Sequence, residues 1–168
     1  GAADGDGDGA AASVEAAAAA PVGGAASGSR GAAAGRLAQV ARESLFLGIA
    51  AVGPNRTIGD IGHAVEAHAK AEGFQVVTAF GGHGVGRNFH EPPRIMHTGE
   101  PGEGHRLIEG QVFTIEPMLT EGSALTRVED DGWTVVTRDG SLSAQWEHTV
   151  VVAALGASIL TRRRGEAP

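Results

Sequence analysis

The sequence GGHGVGRNFHEPP at residues 81–93, followed by VFTIEP at residues 112–117, holds the side chains around which we expect this chain to be organised. It contains two histidines, His83 and His90, and one glutamate, Glu116, where glycine, proline or strand-forming neighbours leave the side chains little freedom. A second glutamate, Glu147, lies further along in SAQWEHTVVV, residues 143–152. These four groups are the candidates for chemistry.

Strand-forming residues dominate the chain on both sides of this stretch. Segments rich in Val, Thr and aromatic residues predict strands at residues 74–80, 111–119, 133–138 and 144–153. Turn residues separate them at 99–104, 130–132 and 139–140. We expect the last two strands to form an antiparallel hairpin through residues 138–141.

Two amphipathic helices are predicted before the strands. Apolar residues spaced by three and four positions predict the first helix over residues 36–52. The second helix is predicted over residues 58–72, with Thr57 as its N-cap, Asp60 completing a capping box and Gly73 in the left-handed position after its end. Because the helices precede the strands without alternating with them, the predicted fold class is α+β and not a doubly wound sheet.

Residues 1–35 consist almost entirely of Ala and Gly and carry few large apolar side chains. Such a tract buries too little apolar surface to offset the entropy that ordering costs, so disorder is predicted, with a low-complexity insertion into a surface loop as the alternative. The expected division of the chain is therefore a low-complexity tract at 1–35, one folded domain at 36–161 and a tail at 162–168.

Composition excludes several classes of protein. The 168 residues suffice for one domain with a core. The chain has no Cys, so any bound metal must be held by His, Asp, Glu or water. With a net charge of -7 and scattered basic residues, the chain offers no surface for nucleic acid. No apolar run reaches the ~20 residues that span a bilayer. No signal peptide begins the chain, so we expect no membrane partner and a cytoplasmic location, with an organelle as the open alternative.

His83 and the two glutamates suit a divalent metal ion. Gly82 and Gly84 let another group come close to His83, although a histidine in an ordinary glycine turn has the same sequence. A carboxylate in an apolar strand, as at Glu116 and Glu147, is costly to bury unless a cation or hydrogen bonds compensate it. An arginine partner or a solvated strand end are the alternatives. One imidazole and two carboxylates match the ligands of Mn, Fe(II), Co or Zn, and two ions about 3.5–4 Å apart can share a carboxylate.

Several motifs in order resemble a known family. GHGVGRNFHEPP, FTIEPM, DGWTVVTRDGSLSAQWEHTVVV and the helical ESLFLGIAAV resemble type I methionine aminopeptidases of the pita-bread metallopeptidase fold, over roughly residues 35–161. The resemblance implies the C-terminal half of that fold, with an antiparallel curved sheet and two covering helices. It also implies a metal-dependent hydrolase whose partners are nascent or short polypeptides, from which it removes the N-terminal methionine.

The resemblance also implies roles for individual residues. His83 and Glu116 would bind one metal ion and Glu147 would bridge two, the ions being Co, Mn, Fe or Zn. His90 would contact the substrate and help to stabilise the tetrahedral intermediate, while Glu116 would assist proton transfer. Phe89 and Trp133 would form the apolar wall of the pocket for the methionine side chain.

The family's two further aspartate ligands come from an earlier strand pair, where this sequence has the Ala/Gly tract, so the second metal site is expected to be incomplete. A proline-specific aminopeptidase or dipeptidase of the same fold is the alternative enzyme. An inactive pita-bread domain that binds peptides or another protein is the alternative of a different class.

The remaining histidines are interpreted as structural or surface residues. His97 and His105 lie in a polar loop and are expected to be exposed, while His148 is expected on the face of its strand opposite Glu147.

Overall fold

Residues 27–166 are described by the structure, a computed structural model. Two helices are followed by ten short strands: α1 Ser27–Ala50, α2 Ile58–Ala71, β1 Gln75–Val76, β2 Gly82–Gly84, β3 Glu91–Ile95, β4 Val112–Ile115, β5 Met118–Thr120, β6 Thr126–Val128, β7 Val135–Thr137, β8 Ser143–Gln145, β9 His148–Ala153 and β10 Gly156–Ile159. The predicted α+β class, with two helices and antiparallel strands, is confirmed.

Helix α1 begins at Ser27 and not at Arg36. The predicted disorder is therefore wrong for residues 27–35, while residues 1–26 lie outside the described part of the chain. Alanine has the highest helix propensity, and extending a helix whose downstream part is already anchored needs no new nucleus. That anchor is the buried stripe that includes Leu37, Val40 and Leu45. Neither helix within residues 27–166 combines the length and apolarity needed to cross a membrane.

Helix α2 has the ends that the sequence predicts. The Thr57 side chain accepts the Asp60 N–H, and the Asp60 carboxylate accepts the Thr57 N–H at 2.8 Å, which completes the capping box. Gly73 follows the helix with a φ of 86°, in the left-handed region. The buried face of α2 packs against α1 and the strands through Ile58, Ile61 and Val65.

The strands form antiparallel sheets of five, three and two strands. Their orders are β10-β9-β4-β2-β3, β1-β5-β8 and β6-β7. Each predicted strand is shorter or divided: residues 111–119 give both β4 and β5, and residues 144–153 contain β9 and most of β8. No strand is predicted from the sequence at β2, β3, β6 or β10.

The predicted hairpin between the last two strands is wrong. β7 pairs with β6, while β8 pairs with β5 in another sheet. Residues 138–141 turn the chain away because the Asp139 carboxylate accepts N–H groups from both Ser141 and Ser123. These bonds and the Ser141 hydroxyl lower the pKa of Asp139 to about 2, the Ser123 N–H being the largest cause. The β6–β7 turn instead uses Gly132, whose φ is 72°.

A two-stranded ribbon connects the two larger sheets. One strand of the ribbon is β4 followed by β5, and the other is β8 followed by β9. Ile115 pairs with His148 in the five-stranded sheet, and Met118 pairs with Gln145 in the three-stranded sheet. Pro117 lies between these pairs and has no N–H to continue the ladder. The ribbon therefore changes sheets at residues 116–117 and 146–147 without changing its register.

Two apolar clusters hold the helices on the ribbon. One lies over the five-stranded sheet and contains Leu45, Ile49, Val52, Ile58, Ile61, Ile95, Leu107, Phe113, Ile115, Val150 and Val152. The other lies over the three-stranded sheet and contains Leu37, Val40, Ala41, Val65, Ala69, Phe74, Val76 and Leu119. Trp146 packs against both clusters, and its indole N–H donates to the Ala38 carbonyl at 2.9 Å. The change of sheet is thus fixed directly beneath α1.

The capping box gives a first test of how local sequence contributes to stability. Thr57→Ala should lower the free energy of unfolding by about 1 kcal/mol because the Asp60 N–H loses its acceptor. In a domain of this size that corresponds to a fall in Tm of about 2–4 °C. Thermal unfolding by circular dichroism would measure it. Thr57→Ser keeps the hydroxyl and should unfold close to the wild type, and an equal loss in both variants would contradict the capping explanation.

Candidate metal centre

Glu116 and Glu147 lie on the ribbon at the place where it changes sheets. Counting on from the Ile115–His148 pair puts Glu116 level with Glu147 and Pro117 level with Trp146. Like charges at facing positions of two antiparallel strands repel each other. The fold therefore places two acidic residues side by side at a point that ordinary strand pairing would disfavour.

His83 faces this pair from the neighbouring strand β2. Its Nδ1 lies 2.9 Å from the Gly84 carbonyl oxygen, which can only accept, so Nδ1 carries the proton and donates. In the neutral imidazole this leaves a lone pair on Nε2. Nε2 lies 3.8 Å from Oε1 of Glu116. In the neutral ring the tautomer is thus fixed with the unprotonated nitrogen directed at a carboxylate, as expected of a metal-binding histidine.

The Glu116 side chain is held by two donors and its main chain by a third contact. The Thr114 hydroxyl donates to Oε1 at 2.7 Å, and the Gln145 amide donates to Oε2 at 3.3 Å. The Glu116 N–H donates to Nε2 of His97 at 3.0 Å. The polar main chain that the break in the ladder leaves free is therefore satisfied by a side chain.

Burial raises the pKa of the Glu116 carboxyl. The Thr114 hydroxyl lowers it, the charge of Glu147 raises it and His83 lowers it. Partial burial also raises the pKa of Glu147, against His83 and His90, which lower it. Glu147 is exposed whereas the Glu116 side chain is only 13% exposed, so solvent screens the charge of Glu147 and burial acts mainly on Glu116. The protein thus compensates the negative charge of ionised Glu116 only in part.

A divalent cation fits between His83 and Glu116. An ion bound at about 2.1 Å to each of two donors limits their separation to about 4.2 Å. The distance of 3.8 Å between Nε2 and Oε1 is within that limit. Both atoms are acceptors in the neutral tautomer, an arrangement that a cation satisfies. Within residues 27–166, no three His, Cys, Asp or Glu side chains are grouped as a complete metal site. His83 and Glu116 are therefore the two candidate ligands whose side chains lie close enough to share one ion.

His90 and Phe89 lie over His83 in a small cluster of rings. The ring centroids of His83 and His90 are 4.2 Å apart, and those of His83 and Phe89 are 5.3 Å apart. Phe89 meets His90 edge to face at 4.6 Å and is 71% exposed. The loop is folded back by Glu91, whose carboxylate accepts the Asn88 N–H at 2.8 Å. An apolar group placed on Phe89 would thus lie beside His90.

Trp133 lies elsewhere, between β6 and β7, and is 85% exposed. Among the described residues, the cluster of rings around His83 does not include it. Its predicted role in the substrate pocket stays a prediction.

The expected exposure of His97 is wrong, since this residue is only 1% exposed. The loop that follows it packs closely on α2, where a Cβ at Gly62 would collide with the Thr98 main chain. His97 is thereby pressed against the change of sheet at Glu116. Nothing in the local sequence predicts that contact. His148, by contrast, is buried as a structural residue, with Nδ1 3.0 Å from the Thr161 hydroxyl.

Thr114 and Gln145 were also missed as partners of Glu116, and for Thr114 a signal was present. Residues two apart on a strand share a face, so a threonine two positions before a buried glutamate can reach its carboxylate.

Comparison with known proteins identifies the family of this chain. The model of metallopeptidase family M24 matches residues 21–154. Methionine aminopeptidase A of Synechocystis sp. is 53% identical over 126 residues, which are 75% of this chain and 50% of that protein. The methionine aminopeptidase of Salmonella typhimurium is 49% identical over 131 residues, covering 78% of this chain and 50% of that one. The chain spans about half the length of these relatives.

Solved structures of a methionine aminopeptidase and a prolidase are also similar to this chain. The methionine aminopeptidase of Rickettsia prowazekii superposes with a TM-score of 0.75 at 45% identity, covering 76% of this chain and 52% of that one. The prolidase of Pyrococcus furiosus superposes with a TM-score of 0.57 at 25% identity, covering 76% of this chain and 32% of that one. The chain is thus more similar to the first of these two structures.

Replacing the buried acid should stabilise the metal-free protein. At pH 7 in the presence of EDTA, Glu116→Gln should raise the Tm by a few degrees, about 2–4 °C for each kcal/mol gained. The reason is that the variant removes a carboxylate whose folded pKa is raised. Because such a group costs stability only when ionised, the gain should shrink as the pH falls towards 4. Calorimetric scans at the two pH values would measure it. An unchanged or lower Tm at pH 7 would mean that the protein itself already compensates the charge.

His97 predicts a second pH dependence, of opposite sign. Burial lowers the pKa of His97 from 6.5 to about 4. Between pH 6.5 and pH 4, His97 is therefore protonated in the unfolded chain but not in the folded chain. The free energy of unfolding consequently falls as the pH falls through this range. The contribution of this residue is about 3 kcal/mol over that window. Urea unfolding at pH 7 and pH 4.5 should show a smaller pH difference in His97→Gln than in the wild type, and equal differences would refute the assignment.

Proposed function

Because the chain belongs to metallopeptidase family M24, we propose that it provides the catalytic half-domain of a metal-dependent aminopeptidase that removes the N-terminal methionine from polypeptides. Its substrates are nascent or short polypeptides with a free N-terminus, and its place of action is the cytoplasm. The main support is the approach of His83 Nε2 to Glu116 Oε1 at 3.8 Å in a chain that is 53% identical to a methionine aminopeptidase.

The metal ligands are assigned to the residues that the sequence predicts. His83 and Glu116 would hold one divalent ion, and Glu147, which faces Glu116 across the ribbon, would help to hold that ion and a second one. When bound, such ions polarise a peptide carbonyl and lower the pKa of water. Co, Mn, Fe and Zn all accept this mixture of imidazole and carboxylate. Glu147 is the single ligand for the second ion that we assign within residues 27–166, so that site is the weaker one.

The remaining chemistry is assigned to side chains beside the ligands. His90 lies exposed next to His83, so it can reach a peptide placed over the ions and donate a hydrogen bond to the developing oxyanion. Glu116 accepts and returns a proton at Oε2, for which a pKa raised by burial is an advantage. Phe89 offers its open face to an apolar side chain beside His90.

Removal of one ligand should abolish metal binding and turnover together. In the 168-residue chain supplied with Mn(II) or Co(II), His83→Ala should reduce the release of methionine from Met-Ala-Ser by at least about 100-fold. His105→Ala is the matched control, because it makes the same change at an exposed histidine outside the centre. Methionine release and calorimetric ion binding are the measurements. Full turnover in His83→Ala would reject His83 as a ligand.

The same assay separates the alternatives. Release of the first residue from an Xaa-Pro peptide, with Met-Ala-Ser left intact, would indicate the proline-specific enzyme. The lower TM-score of the prolidase, 0.57 against 0.75, favours methionine. Peptide binding without hydrolysis, in the presence of saturating Mn(II), would indicate an inactive binding domain.

A further inference from the structure

We propose that Thr114 is a positioning residue whose buried hydroxyl joins the main chain of His83 to the carboxylate of Glu116 and so sets the spacing between these two metal ligands. The inference rests on the proposed function, since it assumes that His83 and Glu116 share an ion. It adds a residue that touches neither the ion nor the substrate and acts on both ligands at once.

The contacts of the hydroxyl are complementary. Oγ1 of Thr114 accepts the His83 N–H at 3.0 Å and donates to Oε1 of Glu116 at 2.7 Å. A main-chain N–H can only donate and a carboxylate can only accept. The hydroxyl therefore uses a lone pair to accept from His83 and its single proton to donate to Glu116, and the reverse arrangement is impossible. The oxygen that receives the bond is the same Oε1 that faces His83 Nε2 at 3.8 Å. One side chain thus fixes both ends of the ligand pair.

The surrounding strands explain why a side chain makes this link. β2 and β4 are paired in register at Gly84 and Phe113, and the Val85 N–H donates to the Val112 carbonyl. The His83 N–H lies beyond these contacts, and the Thr114 hydroxyl takes the place of a main-chain carbonyl as its acceptor.

Gly82 makes the close approach of the strands possible. A Cβ at this position would collide with the Thr114 carbonyl oxygen and would lie 3.0 Å from Oγ1. Thr114 is itself only 2% exposed, so water does not readily replace the hydroxyl. Loss of the Thr114 hydroxyl must therefore leave the His83 N–H and the Glu116 carboxylate short of a partner.

The expected consequence is a loss of metal affinity without loss of the fold. Residues that orient metal ligands typically change affinity by about 10–100-fold when they are removed. Thr114→Val keeps the shape and the preference for a strand but removes both hydrogen bonds, so it should weaken Mn(II) binding within this range. Thr114→Ser keeps the hydroxyl and should bind Mn(II) within about threefold of the wild type.

A buried threonine outside the centre provides the matched control. Thr120 is 0% exposed, lies on the adjoining strand β5 and donates to the Gly122 carbonyl at 3.3 Å. Thr120→Val makes the same atomic change and should leave Mn(II) affinity unaltered. Calorimetric titration of the four 168-residue proteins, each checked by circular dichroism, is the first measurement.

The second measurement needs no metal. Amide hydrogen exchange of His83 in the metal-free chain reports the hydroxyl directly, because Thr114→Val should speed this exchange by about tenfold or more while Thr114→Ser should not. Exchange at His83 that is equal in the wild type and Thr114→Val would overturn the inference, even if the wild type bound no ion.

The two measurements separate this inference from the proposed function. Absence of Mn(II) binding in the wild type would reject the metal site, and the link between the strands would then be judged by hydrogen exchange alone. Suppose that His83→Ala loses Mn(II) binding and Thr114→Val binds Mn(II) as tightly as the wild type. That result would overturn the positioning role of Thr114. If Thr114→Val did not fold, an intact Mn(II) affinity in Thr114→Ser would support the role of the hydroxyl, and a loss of more than about tenfold would contradict it.

Discussion

The break in the ladder at Pro117 is the constraint on which the centre depends. Proline has no N–H to donate, so the β4–β5 strand cannot continue as one flat strand. Pairing nevertheless resumes at Met118 and Gln145 in the register that ended at Ile115 and His148. The residues between these pairs are released from the ladder while their positions along the ribbon stay fixed. Two of these residues are the acids Glu116 and Glu147. The distance between the two acids is therefore set by the backbone and not by long flexible side chains.

The rest of the fold supports this change of sheet from three sides. Trp146 wedges between the two apolar clusters and binds the main chain of α1. His97 satisfies the Glu116 N–H from the loop that packs on α2. β2 brings His83 up from the remaining side. The core therefore stabilises a local arrangement that is unfavourable by itself, in which an incompletely compensated carboxylate is held beside a second acid and a histidine with a free lone pair.

Local features of the sequence predicted both helices and the caps of α2, although not the start of α1, because a capping box and a stripe of apolar residues depend on neighbours within one or two turns. The same reasoning selected His83, Glu116 and Glu147 as candidates, since acids and glycine-flanked histidines stand out in apolar strands. It failed where long-range pairing decides. The break at Trp146 and Glu147 is imposed by the partner strand, the path after Thr137 is set by Asp139 with Ser123, and the burial of His97 needs a loop to dock on a helix.

The two tryptophans of the chain lie in opposite surroundings, and this gives the molecule a built-in optical reporter. Trp133 projects from a hairpin and is 85% exposed, so its emission should be red-shifted and open to quenching by iodide. Trp146 is packed under α1 with the Arg163 guanidinium 4.8 Å from its ring centre, next in sequence to Glu147. Its emission should be blue-shifted and shielded from quencher. A change in the surroundings of the ribbon can therefore be followed by the fluorescence of an indole that the protein already contains.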